Sequence, residues 1–452
     1  MSDKSERKIT VALVDSANFI EDWLDDLGVS LNDLCDKMMG SWMFVTIEAL
    51  KSSGLRAVMF CTTARVQKPL RLTHKPTGTI ICFLPASRFS RFLGRFVVKL
   101  RARSLDLSEN GLGQHWAKIY RLQAAVLSVI TSYLSIPLLL LARELRSDDC
   151  TVILCQDYEH ARFDLCVFLG RLMGIPVFGT FQGAYPQPRL VSLLRPLAMR
   201  ACSGLIISVK SEIRRVRTSY RISYRNVAYI LPPLNMAIWT ALDRNEARLS
   251  LGIPLDADVV AWHGMVSISH KGLDTLMEAW QQVCLARPHR DLRLILLGTG
   301  YDADILQRRI RVLKLRGIHW LNKWVLDRSE ILWHLSSADV YAFPSRDDGP
   351  AQSAMEAMAC GLPIVATDFR GITDLLPDGE VCGGLIVPRE NSTAFACALE
   401  RLLDDKIERS RLGTLARQRA QTCFSIEGMG RELTSFLLMQ STWQQSSFRS
   451  LC

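Results

Sequence analysis

Residues 344–363 read Pro-Ser-Arg-Asp-Asp-Gly-Pro-Ala-Gln-Ser-Ala-Met-Glu-Ala-Met-Ala-Cys-Gly-Leu-Pro. The apolar run Val340–Phe343 ahead of them has the length and composition of a buried strand, and Gly361 with Pro363 stops a short helix. Asp348 falls in the turn and Glu356 in the helix, with seven residues between them. Helical side chains lean toward the helix N-terminus, so Glu356 leans back to the loop that carries Asp348. The same end presents free backbone N–H groups and the positive pole of the helix. Taken singly, either acid would be read as a cap. Together with the helix start they suit a ligand that carries both hydroxyls and phosphates, such as a nucleotide sugar.

Around this stretch, short apolar segments alternate with helical patterns: Ile9–Val14, Ala57–Cys61, Val152–Cys155, Val177–Thr180, Leu205–Ser208, Val259–His263, Arg293–Leu297 and Asp339–Phe343. Such alternation predicts α/β architecture with parallel sheets wrapped by helices. A chain of 452 residues is too long for one ordinary core. The prolines in Leu231-Pro232-Pro233-Leu234 interrupt helix and central strand alike, so the expected division is 1–233 and 234–428. A helical tail, 429–452, follows. Open α/β sheets bind ligands beyond the carboxyl ends of their strands. Two such domains facing each other would therefore place the site in the cleft between them.

Hydrophobic content of 48% and charged content of 22% describe a globular chain and exclude a disordered one. The thirteen cysteines form no Cys-x-x-Cys pairs. Cys166, Cys202 and Cys397 sit in apolar surroundings and read as buried, reduced thiols of a cytoplasmic protein. Neither the cysteines nor the eight histidines show metal-ligand spacing, so no metal site is expected. The charged N-terminus is no signal peptide. The longest apolar run, Leu122–Ala142, contains Pro137 and six polar or helix-breaking positions in all, and reads as a buried core helix broken near that proline rather than a membrane span.

The net charge of +10 calls for anionic partners. It is dense at 88–103, where Arg88, Arg91, Arg95, Lys99, Arg101 and Arg103 occur without an acid. Phe89, Phe92, Phe96 and Leu100 recur there at helical spacing. The segment reads either as an ordinary solvated amphipathic helix or as a helix lying on the anionic inner face of a membrane. No nucleic-acid motif accompanies the charge.

The 344–363 string resembles the signature of the retaining glycosyltransferases of family four (glycosyl transferases group 1). Their usual form is Pro-Ser, two residues, Glu, seven residues, Glu, then Ala-Met-Ala-Cys-Gly-x-Pro. The resemblance covers most of residues 155–425. It implies two Rossmann-like domains (GT-B), a nucleoside-diphosphate-sugar donor, a carbohydrate or lipid-linked acceptor, and no cofactor beyond the donor. In the family pattern Glu356 would hold the ribose hydroxyls, Asp348 the sugar hydroxyls, and Lys271 the departing diphosphate. Gly264, Gly298 and Gly300 would flank the nucleotide, and Trp324 with Val325 the base. Gly349, Pro350, Ala351 and Gln352 would face the phosphates, with Pro350 lacking an N–H. Gln182, Gly183 and the Gly40 loop would approach from the first domain.

Three positions depart from that pattern. Asp348 is one methylene shorter than the usual Glu. Met265 stands where an Arg would help neutralise the diphosphate and cannot form the charge-assisted bonds of a guanidinium. Gln182 stands where members often carry His; it binds hydroxyls but is no base. These departures leave a second reading open, a non-catalytic nucleotide-sugar-binding protein or partner subunit of the same fold. An epimerase or phosphorylase is a third, without a cofactor-lysine motif to support it.

Overall fold

The computed structural model describes residues 9–15, 19–39, 42–109, 114–183, 194–349 and 351–449. Gly40 and Pro350 lie outside the described residues. Two sheets organise the chain. The first contains β1 (Thr10–Val14), β2 (Arg56–Thr63), β3 (Leu70–His74), β4 (Thr79–Pro85), β5 (Val152–Cys155), β6 (Val177–Thr180), β7 (Gly204–Ile207) and β8 (Val227–Tyr229). The second contains β9 (Asp258–His263), β10 (Leu292–Leu297), β11 (Ile318–Leu321), β12 (Val340–Phe343), β13 (Ile364–Thr367) and β14 (Gly384–Val387).

The strand order is β3-β4-β2-β1-β5-β6-β7-β8 in the first sheet and β11-β10-β9-β12-β13-β14 in the second. All pairings are parallel except β3 with β4, at the edge of the first sheet. Among the parallel strands each order reverses once, between β1 and β5 and between β9 and β12, the point where such sheets open a ligand crevice. Buried apolar side chains line both faces of each sheet. Val259 and Ala261 face one core of the second domain and Val260 and Trp262 the other. This period of two is why its strands read as continuous apolar runs.

The chain crosses between the domains twice at one place. The Leu234 N–H donates to the Phe424 carbonyl at 2.6 Å, and Leu234 and Ser425 form a parallel bridge. The helix Ile426–Arg449 then returns to the first domain. Leu433, Phe436 and Leu437 enter the core beneath the Trp42–Ser52 helix, with the Phe436 ring 5.8 Å from that of Phe178.

Two expectations need correction. Cys166 and Cys202 are buried, but Cys397 is exposed, on the side of the Ser392–Asp404 helix opposite its buried Phe395, Leu399 and Leu402. The run Leu122–Ala142 does break at Pro137, between the helices Gln114–Leu134 and Leu138–Ser147, yet it is no core helix. Leu122, Val126, Ile130 and Leu134 are all exposed.

Candidate active site

The reversal between β9 and β12 sets two loops side by side. After β9 come Gly264, Met265 and the short helix Ile268–Lys271; after β12 comes the turn with Asp348 and Gly349, then the helix Gln352–Ala359. Lys271 Nζ meets Asp348 Oδ2 at 2.5 Å, with the two side chains 22% and 16% exposed. The other oxygen, Asp348 Oδ1, accepts the Gly349 N–H at 3.0 Å. Lys271 thus stands at the start of the Leu273–Ala286 helix, where a cation opposes the helix dipole, and its direct partner is a carboxylate.

Glu356 is 2% exposed and its Oε2 lies 2.7 Å from His263 Nε2. Its Oε1 has no hydrogen bond but lies 3.6 Å from Arg328 Nη1. Glu356 and Asp348 do not touch. Burial holds the Tyr341 phenol above its ordinary pKa, with the Glu356 and Asp348 charges adding to the rise. The Gln352–Ala359 helix has no side chain capping its first turn. Ala351 is buried at its start, and the Gln352 amide is enclosed without a hydrogen-bond partner among the described residues.

Gly264, Gly298, Trp324 and Val325 line one open pocket with His263 and Arg328. Gly298 has φ 128°, and a Cβ there would lie 1.9 Å from the Gly264 carbonyl. The Gly-x-Gly motif therefore serves first to let these two loops touch. Gly300 ends the same loop, which the Val266 N–H holds through the Thr299 carbonyl at 2.9 Å. Trp324 and Met265 are half-buried against the apolar core of the first domain. That contact gives a physical reason for a thioether at 265: the side chain bridges the domains by packing.

The first domain reaches the site through β6. Gln182 Nε2 donates to Thr180 Oγ1 at 3.0 Å, and the Gln182 N–H to Asp157 Oδ2 at 3.3 Å. Gly183, at φ 97°, comes so close that a Cβ would stand 2.7 Å from the Gly349 nitrogen. Backbone from one domain thus touches backbone of the other beside Asp348.

Two arginines carry roles that sequence reasoning missed. Arg328 donates to the Met39 carbonyl at 2.9 Å while flanking Glu356, so it ties Met39 of the first domain to the Glu356 side of the site. Arg370 lies 3.5 Å from Glu212 of the first domain and 3.6 Å from Asp347, with its guanidinium 5.2 Å from the Phe181 ring centroid. Behind it, Glu212, Arg215, Glu159, Arg195 and Asp164 form a buried ionic chain. Neither arginine lies in a recognisable motif; each follows a loop whose spatial neighbour is fixed only by the fold. Among the described residues no three His, Cys, Asp or Glu side chains are grouped as metal ligands.

Residues 257–405 match the family described as glycosyl transferases group 1. The matched stretch lies within the second domain. Similar proteins include a D-inositol 3-phosphate glycosyltransferase from Kineococcus radiotolerans, 30% identical over 254 residues, which are 53% of this chain and 58% of that one. A GDP-mannose-dependent monoacylated alpha-(1-6)-phosphatidylinositol monomannoside mannosyltransferase from Corynebacterium glutamicum is 29% identical over 44% of this chain and 51% of its own. The chain thus spans little more than half the length of the curated relatives it matches. Over nearly its whole length it shares its fold with sucrose-phosphate synthase from Thermosynechococcus elongatus, with TM-score 0.66, 17% identity and coverage of 98% of this chain and 100% of that one. The Anabaena protein Alr3699/HepE, solved in complex with UDP, gives TM-score 0.65 at 14% identity over 95% and 100% of the two chains. These neighbours establish the two-Rossmann GT-B fold.

Proposed function

We propose that the protein is a retaining, metal-independent glycosyltransferase that moves a sugar from a nucleoside diphosphate to an acceptor hydroxyl in glycan or glycolipid synthesis. The observation that carries this reading is the Lys271–Asp348 pair, 2.5 Å apart and seated where Gly183 of the first domain meets Gly349 of the second. Glu356, Arg328 and the cavity walled by Gly264, Gly298 and Trp324 suit the nucleoside end. The relatives' names, which specify an inositol phosphate and a phosphatidylinositol mannoside, favour a polyol or lipid-linked acceptor. The described cysteines are free thiols, in keeping with a cytoplasmic location.

In this scheme the bond between the anomeric carbon and the diphosphate breaks as the acceptor oxygen bonds to that carbon on the same face. The acceptor proton passes to the departing phosphate. Lys271 stabilises the charge that develops on the diphosphate, the kind of term that dominates such reactions. Asp348 fixes the ammonium and faces the sugar, and Gln182 orients hydroxyls without acting as a base. With Met265 in a packing role, Arg328 is the guanidinium nearest the nucleotide cavity.

Calorimetric titration with UDP- and GDP-sugars, followed by measurement of nucleotide release with chelator present, tests the scheme. Nucleotide binding abolished by Glu356→Ala supports it. Unchanged binding in that variant removes the site assignment. Binding without turnover on any donor, and no gain from Met265→Arg, would favour the non-catalytic reading.

A further inference from the structure

The helices Arg88–Glu109 and Gln114–Leu134 form an antiparallel hairpin attached to the first domain. Ser87 Oγ donates to the Leu134 carbonyl at 3.2 Å, and Gly94 lies opposite Thr131. Between the helices lies a small seam of Val97, Leu100 and Ala124, with Tyr120 and Leu127 against it. Two sets of apolar residues outside the seam are exposed. On the first helix Phe89, Phe92 and Phe96 are 50% to 61% exposed, and on the second Leu122, Val126, Ile130 and Leu134 are 40% to 62% exposed.

The two stripes share one side. At about 100° per residue, the phenylalanines sit roughly 110° from the centre of their helix's seam. The aliphatic stripe averages roughly the same offset, in the same sense, from the seam of the second helix. Antiparallel helices related by a two-fold axis across their seam present equal offsets on the same side. The charge on this unit is one-sided as well: Arg95, Lys99, Arg103 and Lys118 are exposed, and from residue 86 to 143 the only acids are Asp106 and Glu109.

We propose that this hairpin docks the protein on an anionic lipid bilayer, its apolar side in the headgroup boundary and its basic side chains among the lipid phosphates. Exposed aromatic and aliphatic stripes bordered by cations are the composition of interfacial helices. A single-pass span fits less well. The stretch Lys118–Ser147 has the length and hydropathy to cross a membrane, but it breaks at Pro137, packs on its partner helix, and is tied to the domain by the Tyr133 hydroxyl, which donates to Asp164 at 2.6 Å. Asp164 belongs to the buried ionic chain that ends at Glu212 beside the cleft. The hairpin is also rooted at the carboxyl end of β4, on the cleft side of the first sheet. A docked hairpin would hold the cleft mouth close to the lipid headgroups. Only this last point rests on the proposed glycosyl transfer.

Flotation of the purified full chain with vesicles tests the docking without any donor. Binding to phosphatidylcholine–phosphatidylglycerol vesicles but not to phosphatidylcholine alone is expected, weakening as salt rises. The triple change Arg95→Ser, Lys99→Ser, Arg103→Ser should lower binding at least about tenfold, given the contribution of each basic side chain at an anionic surface. Phe92→Ser with Phe96→Ser should lower it comparably. Both variants alter exposed positions, so melting temperature and UDP binding should stay as in the parent chain. Equal binding to neutral vesicles, or binding indifferent to both variants, overturns the proposal. So does a soluble dimer that Phe92→Ser dissociates and that ignores vesicles, because the stripe would then be covered by a second copy. Resistance of membrane-bound protein to alkaline extraction would replace docking by insertion. Loss of UDP binding with vesicle binding intact would count only against the donor site.

Discussion

Replacing Lys271 and Asp348 singly and together separates a structural ion pair from a catalytic one. The side chains are about a fifth exposed, 22% and 16%, at 2.5 Å. They lie between the exposed pairs that contribute roughly 0.2–1 kcal/mol and the fully buried pairs whose rupture costs about 3–5 kcal/mol. Lys271→Ala leaves Asp348 with the Gly349 N–H and a 3.4 Å contact to the Ser345 hydroxyl, so its carboxylate is only partly orphaned. We expect each single change to cost about 2 kcal/mol. At about 2–4 °C per kcal/mol for domains of this size, that is roughly 4–8 °C in Tm by scanning calorimetry. A double-mutant cycle should return a coupling of about 1–2 kcal/mol in stability. Turnover should behave differently. Loss of the cation facing the departing diphosphate should reduce kcat by about 10²–10³, the scale seen when one preorganised charge-stabilising group is removed, while KM changes little. The assay is nucleotide release with the donor selected from the calorimetric panel. A Lys271→Ala enzyme that melts several degrees lower yet keeps kcat within about threefold would refute the catalytic role and leave a structural pair.

Glu356→Ala should abolish nucleotide binding and, by leaving the buried His263 without its 2.7 Å partner, destabilise by about 1–3 kcal/mol; thermal melts with and without UDP read both effects. Gly298→Ala places a Cβ 1.9 Å from the Gly264 carbonyl at a φ reserved for glycine, so a Tm loss corresponding to more than about 2 kcal/mol is expected. Gly183→Ala inserts a methyl against Gly349 and should depress kcat while sparing nucleotide affinity, which depends on the other domain. Arg370→Ala removes the link to Glu212; faster protease cleavage near Leu231–Pro233 would register the loosened domain contact.

Much of this was legible in the sequence. The eight strands read from apolar runs all occur, within a residue or two at their ends, because each is buried on both faces and leaves an unbroken signature. The edge strand Leu70–His74, with Arg71 and Thr73 on its exposed side, carries a weaker one and was not read. The Asp348–Glu356 string points to the proposed site because its chemistry is local. The partners of those acids were less readable. His263 and Arg328 reach Glu356 from a strand end and a helix start 93 and 28 residues away in sequence, and only the strand order decides that they meet. Hydropathy misled at Leu122–Ala142, since an apolar stripe that a core buries and one that stays exposed have the same composition.

The paired crossings at Leu234 and Phe424–Ser425 limit how the two halves can move. Two strands of chain bonded side by side act as one pivot, so the cleft can swing about that line but cannot slide or twist freely. Since the tail helix leaves the second crossing and embeds Phe436 in the first domain, one lever arm is anchored on the far side of the pivot. Any swing that separates Gly183 from Gly349 must therefore bend the chain near Ser425, and nicking the first crossing alone would leave the halves still joined and still in register.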